Sequence, residues 1–277
     1  MGRLENQTCL IVGGTGGIGL ATAHRFLVEG ARVAISGRTP LETRAGAEAL
    51  SDRAEAFTAD LSDSSSSEAT ASKLIAEAAE SLGGRLDILF HVAGISGRSL
   101  GDGPLDECSL AGWEQVLRVN ATAVFLTNRA AVRRMAAQPL DRHGLRGTVL
   151  NLGSVLGRSP SPRLFGTIAY AASKGALESL TLAAAARYAA DGIRFNLLAP
   201  SLIDTPMSQR AMGDPRIQAY LRAKQPIRGG AGQPDDAAEA ALFLCEPASR
   251  FITGEILTID GGWRIAEGDQ RSDERGI

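Results

Sequence analysis

Tyr170 and Lys174, four residues apart, carry the strongest chemical signal in the sequence. In a helix this spacing places both side chains on one face, one turn apart. A neighbouring ammonium favours the phenolate and so lowers the pKa of a tyrosine, which ordinarily lies at about 10. A tyrosine whose pKa is lowered in this way can donate and accept a proton near neutral pH. We therefore expect Tyr170 to act as a general acid and base, with Lys174 as the cation that lowers its pKa.

A glycine-dense stretch at residues 13–19 lies between an apolar run and a helical pattern. Glycines at this point permit a tight turn and a close approach of backbone to a pyrophosphate, which the start of a helix attracts. The stretch therefore predicts a dinucleotide site, and together with the Tyr–Lys pair it predicts hydride transfer to or from a carbonyl. The cofactor contacts expected from this loop are Gly13, Thr15, Gly17, Ile18 and Gly19.

The end of the second apolar run bears on the choice of nucleotide. A site for NAD usually has a carboxylate there, which binds a ribose hydroxyl. Here Gly37 and Arg38 stand instead, and a guanidinium suits a phosphate. The sequence thus favours NADP(H), while NAD(H) stays open if Arg38 only stacks on the adenine or faces solvent. Asp60 and Leu61 are expected to border the adenine, although Asp60 could equally cap the next helix.

Short apolar runs alternate with longer helical patterns along the chain. The runs predict strands at residues 9–12, 32–35, 54–58, 88–91, 148–152, 194–198 and 256–259. The patterns predict helices at residues 18–29, 40–50, 67–82, 110–137, 169–190, 215–224 and 234–245. Strands that alternate with helices form right-handed βαβ units. We therefore predict an α/β fold with one Rossmann-type, doubly wound parallel sheet of about seven strands, flanked by helices.

Composition excludes several classes of function. The chain has 277 residues, of which 44% are apolar, and a net charge of −2. It has no stripe of basic residues that would bind nucleic acid. We assign residues 1–263 to one dinucleotide-binding domain and residues 264–277 to a polar tail. Three widely spaced cysteines are expected to be reduced thiols in or near the core, and three histidines without metal spacing predict no catalytic metal. No signal peptide or membrane span is recognised, so a cytoplasmic protein is expected.

Several motifs together resemble the short-chain dehydrogenase/reductase family, from about Cys9 to Trp263. The glycine loop resembles its T-G-x-x-x-G-x-G motif, with valine replacing the threonine, and Tyr170 with Lys174 matches its Y-x-x-x-K. The resemblance implies four catalytic residues: Asn120, Ser154, Tyr170 and Lys174. It further implies cofactor contacts from the ends of the fourth and sixth strands: Ala93, Gly94, Pro200, Ser201, Ile203 and Thr205.

The family's mechanism, carried over by this resemblance, gives each residue a role. Tyr170 would donate a proton to the carbonyl oxygen while the nicotinamide delivers hydride, and Ser154 would hold that oxygen. Lys174 would lower the pKa of Tyr170 and bind the nicotinamide ribose. Asn120 would help to hold Lys174 through water. A non-catalytic NADP-binding sensor or scaffold of the same fold is the alternative.

Three departures from the family pattern stand out. His91 begins the segment where the family has N-N-A-G, and we expect a buried, hydrogen-bonded histidine rather than a catalytic base. Ser201 replaces a glycine. Ser154 and Tyr170 are 16 residues apart (170 − 154), about three more than the family usually has, and the extra length lies next to the expected substrate site.

The substrate side is expected to be largely apolar, which favours a neutral or hydrophobic ketone or secondary alcohol. Its candidate residues are Ile95, Ser96, Val155, Leu156, Leu164, Phe165, Leu202, Met207 and Met212. The partners expected are therefore a small carbonyl or alcohol, neither nucleic acid nor membrane, and further copies of the chain, since members of the family commonly form homotetramers.

Overall fold

Seven parallel strands form one sheet in the computed structural model, which describes residues 2–63, 65, 67–161 and 163–266. The strands are β1 Thr8–Val12, β2 Arg32–Gly37, β3 Glu55–Thr58, β4 Ile88–His91, β5 Gly147–Leu152, β6 Ile193–Pro200 and β7 Ile256–Ile259. Their order is β3-β2-β1-β4-β5-β6-β7, and every neighbouring pair is parallel. The order reverses between β1 and β4, where a doubly wound sheet opens its ligand crevice. The predicted fold class is confirmed.

Helices connect the strands and cover both faces of the sheet. They are α1 Gly17–Val28, α2 Pro40–Ala49, α3 Ser67–Ser81, α4 Leu110–Leu117, α5 Ala123–Ala136, α6 Ile168–Tyr188, α7 Gln209–Met212, α8 Pro215–Lys224 and α9 Pro234–Cys245. The single helix predicted over residues 110–137 is wrong in one respect: α4 and α5 are joined by a π-helical turn, Arg118–Thr122.

The core consists of two apolar layers, one on each face of the sheet. In β1, Leu10 and Val12 pack with α3 and α5, whereas Cys9 and Ile11 pack with α1 and α9. All of β1 is buried, because a strand covered by helices on both faces has no solvent side. This explains why the strands are continuous apolar runs in the sequence. Because helices cover both faces of the sheet, the site lies at the ends of its strands.

Some expectations concern parts of the molecule away from the crevice. Cys9, Cys108 and Cys245 are free thiols; the first and last are buried and Cys108 is half-buried. Of the polar tail predicted at residues 264–277, residues 267–277 lie outside the described part of the chain. No helix among the described residues is both long and apolar enough to span a bilayer.

Candidate active site

The glycine loop lies where β1 ends, directly beside the end of β4. Gly13 has a φ of +83°, and a Cβ built on it would lie 2.7 Å from the backbone nitrogen of Ala93. A Cβ on Gly19 would lie 2.1 Å from the carbonyl oxygen of Gly13, so α1 starts in contact with the turn. A Cβ on Gly16 would meet nothing within 4 Å. The loop therefore presents bare backbone at a helix N-terminus, which fits a pyrophosphate.

The segment after β6 forms the opposite wall of this loop. A Cβ on Gly17 would lie 3.1 Å from Cγ2 of Thr205. Pro200 ends β6, and Ile203, which is buried, forms an isolated bridge with Gly232. The buried hydroxyl oxygen of Ser201 has no hydrogen-bond partner among the described residues. These predicted cofactor residues thus lie along one side of the crevice, next to the glycine loop.

Arg38 follows β2, and its side chain is 61% exposed. Its guanidinium donates a hydrogen bond to Glu42, with Nη2 and Oε1 3.1 Å apart, and its backbone N–H donates to the other oxygen of Glu42, also at 3.1 Å. The sequence reasoning missed Glu42, although an arginine and a glutamate four residues apart are a recognisable pair. Asp60 binds the N–H and the hydroxyl of Ser62, so its hydrogen bonds close a local turn, and Leu61 is buried.

Ser154, Tyr170 and Lys174 meet beyond the end of β5. Ser154 follows this strand, and its side chain lies close enough to the Tyr170 hydroxyl, in the first turn of α6, to lower the pKa of that phenol. One turn further along α6, the Lys174 ammonium donates to the carbonyl oxygen of Leu152 at 2.8 Å and lies 5.5 Å from the centre of the Tyr170 ring. Ser154 and Lys174 are buried and Tyr170 is half-buried. The structure thus brings two hydroxyls and an ammonium together at one point.

The acidities of this group differ from the sequence expectation. Burial raises the pKa of Tyr170 above 10.0, and the hydrogen bond with Ser154 acts in the opposite direction. Burial lowers the pKa of Lys174 to about 8. The pKa of Tyr170 is therefore not lowered overall in this structure, because the loss of hydration around the phenol dominates. The spacing of four residues predicts that Tyr170 and Lys174 are neighbours, but it does not predict how far each side chain is removed from water.

Asn120 lies in the π-helical turn between α4 and α5, and it is fully buried. Its carboxamide pairs with the backbone of Ile95, accepting from the N–H at 2.8 Å and donating to the carbonyl at 2.9 Å, and it also donates to the Ser173 hydroxyl at 3.2 Å. A Cβ on Gly94 would lie 3.1 Å from the Asn120 oxygen and 3.7 Å from the Lys174 nitrogen. Asn120 and Lys174 therefore border the same bare backbone, and π-turns of this kind often occur at functional sites.

His91, at the end of β4, is buried and hydrogen-bonded, as predicted. Its Nδ1 lies 2.7 Å from the Thr127 hydroxyl, and its side chain is 1% exposed. Burial, together with the charge of Lys174, lowers its pKa to about 3, although a hydrogen bond with the Ala93 backbone acts the other way. The ring is neutral at physiological pH, which agrees with a structural histidine rather than a catalytic base.

An apolar cluster includes Val155, the residue directly after Ser154. It contains most of the candidate substrate residues: Val155, Leu156, Leu164, Phe165, Leu202 and Met212. Ser96 and Met207 are exposed and lie outside it. The cluster also contains Trp263 and Tyr220, whose rings meet edge to face with centres 5.3 Å apart, and Phe165 contacts Trp263 in the same way at 5.7 Å. The sequence does not indicate that Tyr220 and Trp263 belong to this cluster, because each is far from Ser154 along the chain.

No group of histidine, cysteine, aspartate and glutamate side chains arranged for a metal occurs within the described residues.

Known proteins match this chain over almost its whole length. A family model described as enoyl-(acyl carrier protein) reductase matches residues 13–264. The chain is 37% identical to 2-(S)-hydroxypropyl-CoM dehydrogenase 3 of Xanthobacter autotrophicus, over 94% of this chain and 97% of that protein. It is 34% identical to a galactitol 2-dehydrogenase (L-tagatose-forming) of Cereibacter sphaeroides, over 95% and 97%.

A solved structure agrees with these relatives. A short-chain type dehydrogenase/reductase from Mycobacterium ulcerans superposes with a TM-score of 0.84 at 25% identity, covering 96% of this chain and 92% of that one. With the sheet order, the glycine loop and the Ser–Tyr–Lys group in place, these matches establish that the chain belongs to the short-chain dehydrogenase/reductase family.

Proposed function

We propose that this protein interconverts a secondary alcohol and a ketone by hydride transfer, with NADP(H) as the favoured cofactor and Tyr170 as the general acid and base. The observation that carries the proposal is the placement of the Lys174 ammonium, which donates to the Leu152 carbonyl at 2.8 Å and lies 5.5 Å from the centre of the Tyr170 ring, with Ser154 beside the phenol. Relatives that are dehydrogenases of alcohols support the oxidoreductase class.

The crevice fits a nicotinamide dinucleotide on its own geometry. Bare backbone at the start of α1 would hold the pyrophosphate, and bare backbone at Gly94 would admit the nicotinamide half beside Lys174. The buried hydroxyl of Ser201, which has no partner in the described part of the chain, and the wall at Thr205 would border the same half. The cofactor, when bound, supplies or accepts the hydride. The protein's own residues must bind the oxygen of the substrate and move one proton.

Ser154 and Tyr170 are suited to that proton transfer. In the reducing direction both hydroxyls would donate hydrogen bonds to the carbonyl oxygen, and Tyr170 would then give up its proton to the forming alkoxide. The raised pKa of Tyr170 keeps the phenol protonated before the reaction. The Lys174 ammonium would stabilise the phenolate as it forms, because it lies beside the ring in a buried setting. Oxidation uses the same groups in reverse, with the phenolate as base.

Arg38 supports the preference for NADP(H). It follows Gly37 at the end of β2, where no carboxylate occupies the position that would bind a ribose hydroxyl. Its guanidinium is exposed and can turn from Glu42 to a phosphate. NAD(H) is the alternative if Arg38 stays with Glu42.

The substrate class follows from the apolar cluster and from the names of the relatives. A 2-(S)-hydroxypropyl group and carbon 2 of galactitol are both secondary alcohols. Phe165 and Tyr220, which are half-buried and pack against this cluster, favour a substrate with an apolar or ring-shaped body. We therefore expect activity on neutral or hydrophobic secondary alcohols and ketones.

Fluorescence titration with NADPH and NADH, followed by turnover of a set of ketones, tests the proposal. Arg38→Ala should abolish a preference for NADPH, whereas Arg44→Ala, which removes another exposed arginine paired with a glutamate on α2, should keep it. Tyr170→Phe should bind NADPH normally and lose turnover by at least about 100-fold. Tight binding of NADPH without turnover of any ketone or alcohol would instead indicate the sensor or scaffold.

We also propose a cytoplasmic homotetramer. Exposed apolar side chains support association: Leu110 on α4 is 71% exposed, and Phe125 on α5 and Leu182 on α6 are 44% and 45% exposed. Strand β7 is one of the two edge strands of the sheet, and its residues are only half-buried. Light scattering should give about four times the chain mass of 28.9 kDa, and a monomer mass would contradict the proposal.

A further inference from the structure

Asp102 lies in the loop after β4 and reaches the first turn of the helix that carries Tyr170. Its carboxylate accepts two backbone hydrogen bonds, one from the Ala169 N–H at 3.0 Å and one from the Tyr170 N–H at 2.9 Å. The side chain is buried, with 6% of the residue exposed. The adjacent carbonyl of Gly103 accepts from the Ile168 N–H at 3.1 Å. Three successive amides at the start of α6 are therefore bound to this one loop.

Helix α6 has no side-chain cap of its own. The side chain of Thr167, at its N-cap position, makes no capping hydrogen bond. In contrast, α2, α4 and α8 are capped by the residue that precedes each of them: Thr39, Ser109 and Asp214. Since the first amides of a helix need acceptors from outside it, α6 obtains them from a segment 67 residues away.

The same loop is tied to α6 at its other end. Asn120 holds both backbone groups of Ile95 and donates to Ser173 on α6. Between these ends, Gly97 turns the loop back with a φ of +76°, and its carbonyl accepts from the Asp102 N–H at 3.1 Å. The loop thus forms a closed link between the end of β4, which borders the crevice, and the turn of helix that holds Tyr170.

We propose that Asp102 is a positioning residue for the catalytic tyrosine: by binding the amides of residues 169 and 170, it fixes where the Tyr170 hydroxyl lies relative to Ser154 and to the end of β4. The proposal rests on the proposed function. A displacement of about 1 Å at a reacting group can cost about 100-fold in rate. Asp102 therefore acts on kcat through Tyr170, without itself contacting the substrate.

Asp102→Ala and Asp102→Asn test this role, with Asp141→Ala as the matched control. Asp141 also accepts two backbone hydrogen bonds, from His143 and Leu145 at 2.8 Å each, but it lies in the loop that leads into β5, at the opposite end of that strand from Ser154. An asparagine keeps one acceptor oxygen, whereas an alanine keeps none. The measurements are kcat and KM for a ketone, the Kd for NADPH, and the unfolding midpoint in urea.

We expect Asp102→Ala to lower kcat by about 100-fold, Asp102→Asn to lower it by about tenfold, and both to bind NADPH with a Kd near that of the wild type. Asp141→Ala should lose stability while keeping kcat. Equal kcat in Asp102→Ala and wild type, or equal losses of kcat in Asp102→Ala and Asp141→Ala, would overturn the proposal. If Asp102→Ala does not fold, Asp102→Asn decides by the same comparison. A wild type that binds NADPH but reduces no ketone would overturn the proposed function, and this positioning role with it.

Discussion

Replacement of His91 by asparagine should make the stability of the protein less sensitive to acid. The His91 ring is buried against Thr127 and faces the charge of Lys174, which lowers its pKa to about 3. In an unfolded chain a histidine titrates at about 6.5. As the pH falls below this value, the unfolded chain takes up a proton at residue 91 that the folded protein does not bind. Acid therefore favours unfolding through this residue.

The two pKa values give the size of the effect. Between pH 7 and pH 4.5 the difference in bound protons amounts to a loss of about 2.5 kcal/mol in the free energy of unfolding. His91→Asn removes this loss, because an amide does not titrate. The substitution also costs packing energy, but that cost is the same at each pH. Lys174, whose pKa is about 8, remains charged in both states over this range and adds nothing to the difference.

Urea unfolding of wild type and His91→Asn at pH 7 and pH 4.5, followed by tryptophan fluorescence at one protein concentration, measures the difference. The acid-induced loss of stability should be about 2.5 kcal/mol smaller in the variant. His24→Asn is the matched control, because the His24 side chain is exposed. Between pH 7 and pH 4.5 this control should lose as much stability as the wild type. Equal losses in wild type and His91→Asn would refute the view that burial keeps this ring neutral.

Three further substitutions or conditions probe the cofactor side. Glu42→Gln frees Arg38 for a phosphate and should lower the Kd for NADPH about two- to fivefold in fluorescence titrations; an unchanged Kd would contradict competition between the two anions. Gly94→Ala fills the bare backbone that would admit the nicotinamide half, 3.1 Å from an Asn120 oxygen, so the Kd for NADPH should rise; an unchanged Kd would contradict this placement. The Lys174 ammonium is lost as the pH rises through about 8, so kcat/KM for ketone reduction should decline above that pH.

Much of this architecture could be predicted from local sequence. Each strand is a short apolar run because helices cover both faces of a parallel sheet, and each predicted strand lies within two residues of its observed bounds. The contact of Lys174 with the Tyr170 ring follows from a spacing of four residues on one helix. These features depend on neighbours in the chain, so the sequence is enough to predict them.

The features that could not be predicted depend on contacts between distant segments. The π-helical turn at Asn120 keeps the apolar pattern of the surrounding helices, so periodicity does not reveal it. The capping contact of Asp102 with α6 joins residues 67 and 68 positions apart. The direction of the pKa shift at Tyr170 depends on how much water the folded chain removes from the phenol.

Helix α6 links these distant contacts, and this has a consequence for its variants. Along this one helix, Tyr170 lies beside Ser154, Ser173 accepts from Asn120, Lys174 donates to the carbonyl of Leu152, and Thr181 accepts from Asn151 at 3.1 Å. Each of these contacts fixes the rotation of α6 about its axis and its position along that axis. Substitutions at these positions therefore share one structural response, and their effects on rate should not add as independent sites do. A double variant of Asn120 and Asp102 should lose more kcat than the product of the two single losses, because each single change leaves the loop after β4 tied to α6 at its other end.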